Sequence, residues 1–192
     1  LFVISGFAGL VYQVLFSKAL ALTFGSTSTA TYTVLATYMG GMALGAWAGG
    51  AIAARRSDPL VLYALCELGV GLYCLATPWL LPLIRDLYTT LASDIPADSA
   101  LLVAARFGLG SAGLLAPTIL MGMTLPILAR YFELRREALG TSVAWLYAAN
   151  TTGAALGALL AGYAILPALG MTRTTMVAVA ANLFAAYFAL KL

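Results

Sequence analysis

The sequence predicts an all-α polytopic integral membrane bundle of about six transmembrane helices, forming a single transmembrane domain over residues 1–192. Three observations predict this. Hydrophobic residues make up 62% of the chain and charged residues only 9%, against roughly 25% charged in a soluble domain. Apolar runs close to the ~20 residues that cross a bilayer follow one another through short connections. The longest of these runs carries the proline-bracketed segment Pro117-Thr118-Ile119-Leu120-Met121-Gly122-Met123-Thr124-Leu125-Pro126.

The first span covers about residues 1–24 and ends in the uncharged turn Phe24-Gly25-Ser26-Thr27. It starts Leu1-Phe2-Val3-Ile4-Ser5-Gly6, with neither an initiator methionine nor a basic n-region, and is read as the edge of a fragment. A signal peptide fits poorly because the segment is too long and polar residues recur inside it. The second span, about 29–54, spaces Gly41, Gly45 and Gly49 four residues apart, a small-residue ridge for close helix packing, and stops at Arg55-Arg56-Ser57-Asp58-Pro59. The third, about 60–84, holds Glu67 inside its apolar run, and a loop from Arg85 to Ser99 with Asp86, Asp94 and Asp98 follows. At about 100–131 the fourth segment is too long for one straight span. This length agrees with a helix break at Pro117, Gly122 and Pro126, since proline removes a donor and clashes with the preceding turn. The Arg130–Glu137 connector leads to the fifth span, about 140–166, with Tyr147, Asn150 and the packing glycines Gly153 and Gly157. Pro167-Ala168-Leu169-Gly170 then turns the chain into the sixth, about 171–192, which contains Asn182.

Basic residues in short loops set orientation. Placing Arg55, Arg56, Arg130, Arg135, Arg136 and Lys191 inside leaves Arg85 and Arg173 outside, with both termini cytoplasmic. At ~1.5 Å per residue across a core ~30 Å thick, Glu67, Asn150 and Asn182 fall at one depth near the midplane. Gln13 lies slightly above them, and Lys18 and Arg106 fall in the outer third. A carboxylate at such depth faces a bundle interior or a wet cavity. Glu67 is therefore either a binding group or a hydrogen-bonded link between helices. Lys18 and Arg106 either snorkel to the outer interface or capture an anion. The candidate ligand-binding set is Glu67, Asn150, Tyr147, Gln13, Lys18, Arg106 and Thr124, with Glu67, Asn150 and the Met121–Pro126 stretch read as lining one internal site.

Several chemistries are disfavoured. The chain has no histidine, which removes the commonest metal ligand and the usual neutral-pH base, so no metal site and no cofactor is assigned. Cys66 and Cys74 lie about 12 Å apart along one helix, too far for a disulfide. A net charge of +3, held in short loops, is a topology signal and not a nucleic-acid footprint. No catalytic residues are assigned, and a self-contained enzyme is not expected.

The ordered motifs Ser5-Gly6-Phe7-Ala8-Gly9-Leu10-Val11-Tyr12-Gln13, Gly25-Ser26-Thr27, Gly40-Gly41-Met42-Ala43-Leu44-Gly45, Leu65-Cys66-Glu67-Leu68-Gly69, Pro117 to Pro126, and Tyr147-Ala148-Ala149-Asn150-Thr151-Thr152-Gly153-Ala154 cover essentially the whole chain. In these the sequence resembles the membrane-embedded N-terminal region of bacterial spermidine-synthase-like proteins, the fused major-facilitator/spermidine synthase type. The resemblance implies an inner-membrane domain that precedes, and anchors or serves, a cytoplasmic aminopropyltransferase-like domain, itself absent from these residues. The family's first helix reads Tyr-Glu-x-x-Trp-x-Arg, whereas this chain has Tyr12-Gln13-Val14-Leu15-Phe16-Ser17-Lys18, so a first-helix carboxylate is not carried over. Two other readings compete. One is half of a major-facilitator-like transporter; the other is a non-catalytic accessory subunit packed among further membrane subunits. In all three the lipid bilayer is the first partner.

Overall fold

The computed structural model describes every residue except Ser26, Asp94, Ala97, Asp98, Arg136 and Glu137, and only the backbone of Thr27 and Thr29. Parts of the expected acidic loop (Asp94, Asp98) and of the basic connector (Arg136, Glu137) thus lie outside the described residues. Among the described residues all regular structure is helical: α1 (Phe2–Phe24), α2 (Thr27–Ala53), α3 (Pro59–Leu75), α4 (Thr77–Ala92), α5 (Ala100–Leu134), α6 (Leu139–Leu160), a π-helical turn (Ala161–Ile165) and α7 (Leu166–Ala189). By length and composition three helical stretches suffice to cross a membrane, namely α1, α5 and the run Leu139–Ala189, and the bent pair α3–α4 makes a fourth. At 27 residues α2 is long enough, but its threonines and glycines lower its hydropathy.

Two sequence expectations need correction. The third segment is not one span followed by a loop: α3 and α4 meet at Ala76 with a 56° bend, and α4 runs on to Ala92. Pro78 in the first turn of α4 has no N–H for the Cys74 carbonyl. The Thr77 hydroxyl donates to that carbonyl instead, at 2.7 Å.

The expected break in the fourth segment is absent. Helix α5 continues for 35 residues with Pro117 and Pro126 inside it, and Gly122 is an interior helical position. Pro117 deprives the Gly113 carbonyl of its usual donor, and the Tyr73 hydroxyl of α3 supplies another at 3.0 Å. A side chain from the neighbouring helix thus keeps a proline-bearing helix whole.

Near the C-terminus the chain reverses within the expected Pro167-Ala168-Leu169-Gly170 stretch, at Gly170. Gly170 has φ 72° and ψ 176°, a conformation open to glycine and strained for other residues. Pro167 lies between the π-helical turn Ala161–Ile165 and this break.

Glycines fix the tightest helix pairs, because a Cβ at these positions would overlap the neighbouring backbone or, at Gly41, the Thr118 side chain. Gly45 and Gly49 of α2 lie on Ile119 and Met123 of α5, and Gly41 lies on Thr118. Gly153 and Gly157 of α6 lie on Val3 and Phe7 of α1. Both pairs run parallel, and they correspond. A shift of 116 positions carries Val3, Gly6 and Phe7 onto Ile119, Gly122 and Met123, and a shift of 108 carries Met42, Gly45 and Gly49 onto Asn150, Gly153 and Gly157. The close contacts Gly122–Met42 and Gly6–Asn150 obey the same correspondence. The units α1–α3 and α5–α7 therefore pack on each other with their roles exchanged.

Candidate functional site

Helix α3 buries a stripe comprising Leu60, Tyr63, Ala64, Glu67, Val70, Gly71 and Cys74. These recur at three- and four-residue intervals, the period of a helix face turned to a core. Glu67 sits in the middle of that stripe and is only 1% exposed. Its carboxylate accepts from the Ser5 hydroxyl of α1 at 2.5 Å and from the Asn182 amide of α7 at 2.6 Å. The ion pairs among the described residues, Arg85–Asp86 and Arg130–Glu133, lie elsewhere. Neutral donors alone therefore hold this carboxylate. The Tyr63 hydroxyl lies beside Ser5 and Glu67, and among the described residues the Asn182 carbonyl oxygen is buried without a partner. Buried groups of this kind cost about 1–3 kcal/mol each when left unpaired.

On the other side of Ser5 a cleft of about 160 Å³ opens between α1, α2, α5 and α6. Ser5, Gly6 and Gly9 form its α1 wall, Tyr38 and Met42 its α2 wall, Met121, Gly122 and Thr124 its α5 wall, and Tyr147 and Asn150 its α6 wall. Corresponding residues of the two units meet here: Ser5 with Met121, Gly6 with Gly122, and Met42 with Asn150. Small residues in α1 create the space. A Cβ at Gly9 would meet only the Met121 sulfur, at 3.9 Å.

Of the candidates read from the sequence, Asn150, Tyr147 and Thr124 line this cleft. Glu67 does not. It lies behind the α1 wall and reaches the cleft only through Ser5. Asn150 is not the partner of Glu67, because α6 packs on the opposite side of α1, where Gly6 faces Asn150. The amide that does pair with Glu67 is Asn182. Gln13 is half-buried outside the cleft, and Lys18 is exposed. Arg106 is half-buried toward α4, its Nε donating to the Tyr88 hydroxyl at 2.9 Å and its guanidinium lying over that ring at 5.7 Å. Lys18 and Arg106 thus belong to neither the carboxylate cluster nor the cleft.

Ser5, Tyr38 and Met121 escape a reading based on charge and depth. The signal available for Ser5 was its position one helical turn before Gly9, with Gly6 between, which puts a hydroxyl beside two side-chain-free positions on one face. No group of three or more metal-ligating His, Cys, Asp or Glu side chains comes together among the described residues. Comparison of the chain with protein-family models, curated proteins and solved structures finds no match.

Proposed function

We propose that the chain crosses a bacterial cytoplasmic membrane six times with both termini inside. In this reading it forms the membrane domain of a spermidine-synthase-like protein, holding a small molecule in the four-helix cleft and anchoring or serving a cytoplasmic aminopropyltransferase-like domain. One observation carries it. The segments on which the family resemblance rests are far apart in sequence, yet Ser5–Gly9, Met42, Met121–Thr124 and Tyr147–Asn150 converge on one cleft, with Glu67 one hydrogen bond behind it. Convergent polar groups in a mainly apolar cleft are the usual form of a small-molecule site. Alternating helix directions favour six crossings, since α2 runs parallel to α5 and α1 parallel to α6, as strict in-out alternation requires. Deleting the chain from its host should move aminopropyltransferase activity out of the membrane fraction. Unchanged membrane-bound activity would refute the reading.

A second reading draws on the exchanged packing of α1–α3 and α5–α7. Inverted three-helix repeats occur within each six-helix half of major-facilitator carriers, with ligand sites at repeat interfaces near the midplane. As such a half the chain requires a second six-helix unit. Native mass spectrometry in detergent tests this, and a strictly monomeric protein refutes it.

A further inference from the structure

Three of the four hydroxyl groups lining the cleft, all but that of Tyr147 on α6, share one property: their hydrogens are already used. Ser5 donates to Glu67 at 2.5 Å, Tyr38 donates to the Gly9 carbonyl at 2.6 Å, and Thr124 donates to the Met121 carbonyl at 2.6 Å. A hydroxyl carries one hydrogen and two acceptor lone pairs. Each of these three can therefore offer a ligand only a lone pair. Ser5 and Gly9 are one turn apart on the same face of α1, and the Tyr38 hydroxyl reaches α1 at the Gly9 carbonyl. Thr124 faces them from α5, one turn from Met121, whose sulfur lies 3.5 Å from the Tyr38 oxygen.

We propose that the cleft binds a small apolar molecule through a hydrogen-bond-donor head, an alcohol or a protonated amine, and discriminates against anions and acceptor-only groups. An anion would face three fixed lone pairs and, behind Ser5, the Glu67 carboxylate. An ether would leave those acceptors desolvated and unpaired, the arrangement that gives polar sites their sharpest discrimination. The amide of Asn150 and the hydroxyl of Tyr147, the α6 lining groups with donors to spare, accommodate the remaining lone pairs of an alcohol. Size bounds the body of the ligand: a ~150 Å³ apolar cavity takes a benzene molecule, so a cleft of about 160 Å³ takes about six non-hydrogen atoms. This inference rests on the reading of the cleft as a ligand site.

The test is isothermal titration of the protein in detergent micelles with four probes of about six non-hydrogen atoms: 1-pentanol, pentylammonium, butyl methyl ether and butanoate. Gly9→Leu fills the cleft and measures partition into the micelle; if it does not fold, Ala46→Phe fills it from α2. Pentanol and pentylammonium should bind the wild type above the blocked variant, with ether and butanoate weaker by at least about tenfold. The ranking of the two donors separates acceptor lone pairs alone from an added pull by Glu67. Thr124→Val keeps the side-chain shape and should narrow the pentanol-to-ether ratio. Ether binding within about twofold of pentanol would overturn the donor assignment while leaving a ligand site in place. No probe binding above the blocked variant would overturn both the assignment and the ligand reading.

Discussion

Glu67 of α3 and Asn182 of α7 meet in a 2.6 Å hydrogen bond across 115 positions of sequence. The bond joins α3 of one three-helix unit to α7 of the other. The bond thus ties the halves together at their centre, and Ser5 completes the link to α1.

Glu67→Gln should be nearly silent for stability. The new amide can keep one acceptor for Ser5 and donate to the Asn182 carbonyl oxygen, which has no partner among the described residues, after a rotation of the Asn182 amide. Asn182→Leu removes one of the two donors to a buried carboxylate and should cost about 1–3 kcal/mol. Thermal unfolding in detergent measures both; equal losses for the two variants would contradict the arrangement.

The exchanged packing makes paired glycines equivalent. Gly45→Ala and Gly153→Ala each push a Cβ into a carbonyl of the facing helix, an overpacking that costs about 1–3 kcal/mol. Gly40→Ala and Gly162→Ala meet nothing within 4 Å and should be neutral or slightly stabilising. Similar unfolding temperatures for Gly45→Ala and Gly40→Ala would count against these contacts.

The proposed six crossings would place Ser57 and Ser93 on opposite sides of the membrane. In a background without Cys66 and Cys74, a cysteine at position 57 should react with an impermeant maleimide only after the cytoplasmic side is opened, and one at position 93 in intact cells. Labelling of both from one side would rule out the topology.

Much of the packing was legible in the sequence, because Gly41, Gly45 and Gly49 can share a face only at helical spacing and their lack of side chains has few other uses in a membrane. The burial of Glu67 was legible too, from its place inside an apolar run. Its partner was not: counting residues gives height along the membrane normal but not the direction a side chain points around the bundle, so Asn150 and Asn182 looked equivalent at one depth. The bend at Ala76 and the continuity of α5 escaped for a related reason. Pro78 and Pro117 each free a carbonyl, and what becomes of it depends on which hydroxyl reaches it. Thr77 serves Cys74 from the same turn, where the chain bends, whereas Tyr73 serves Gly113 from another helix, where it does not.

The Tyr73–Gly113 bond yields the last prediction, a coupling between two residues that need not touch. With Pro117 in place, the Gly113 carbonyl has no helical donor, so Tyr73→Phe leaves it unpaired in an environment without water. The loss should be about 0.5–2 kcal/mol, the range found for hydrogen bonds inside membrane proteins. Pro117→Ala restores a backbone N–H four residues after Gly113, and in that background the tyrosine hydroxyl becomes redundant. Tyr73→Phe should then cost close to nothing, and the double-mutant cycle should return most of the single-variant loss as coupling energy. If Tyr73→Phe is equally damaging with and without Pro117, the hydroxyl stabilises the protein by some other contact and does not explain why α5 stays continuous through its first proline.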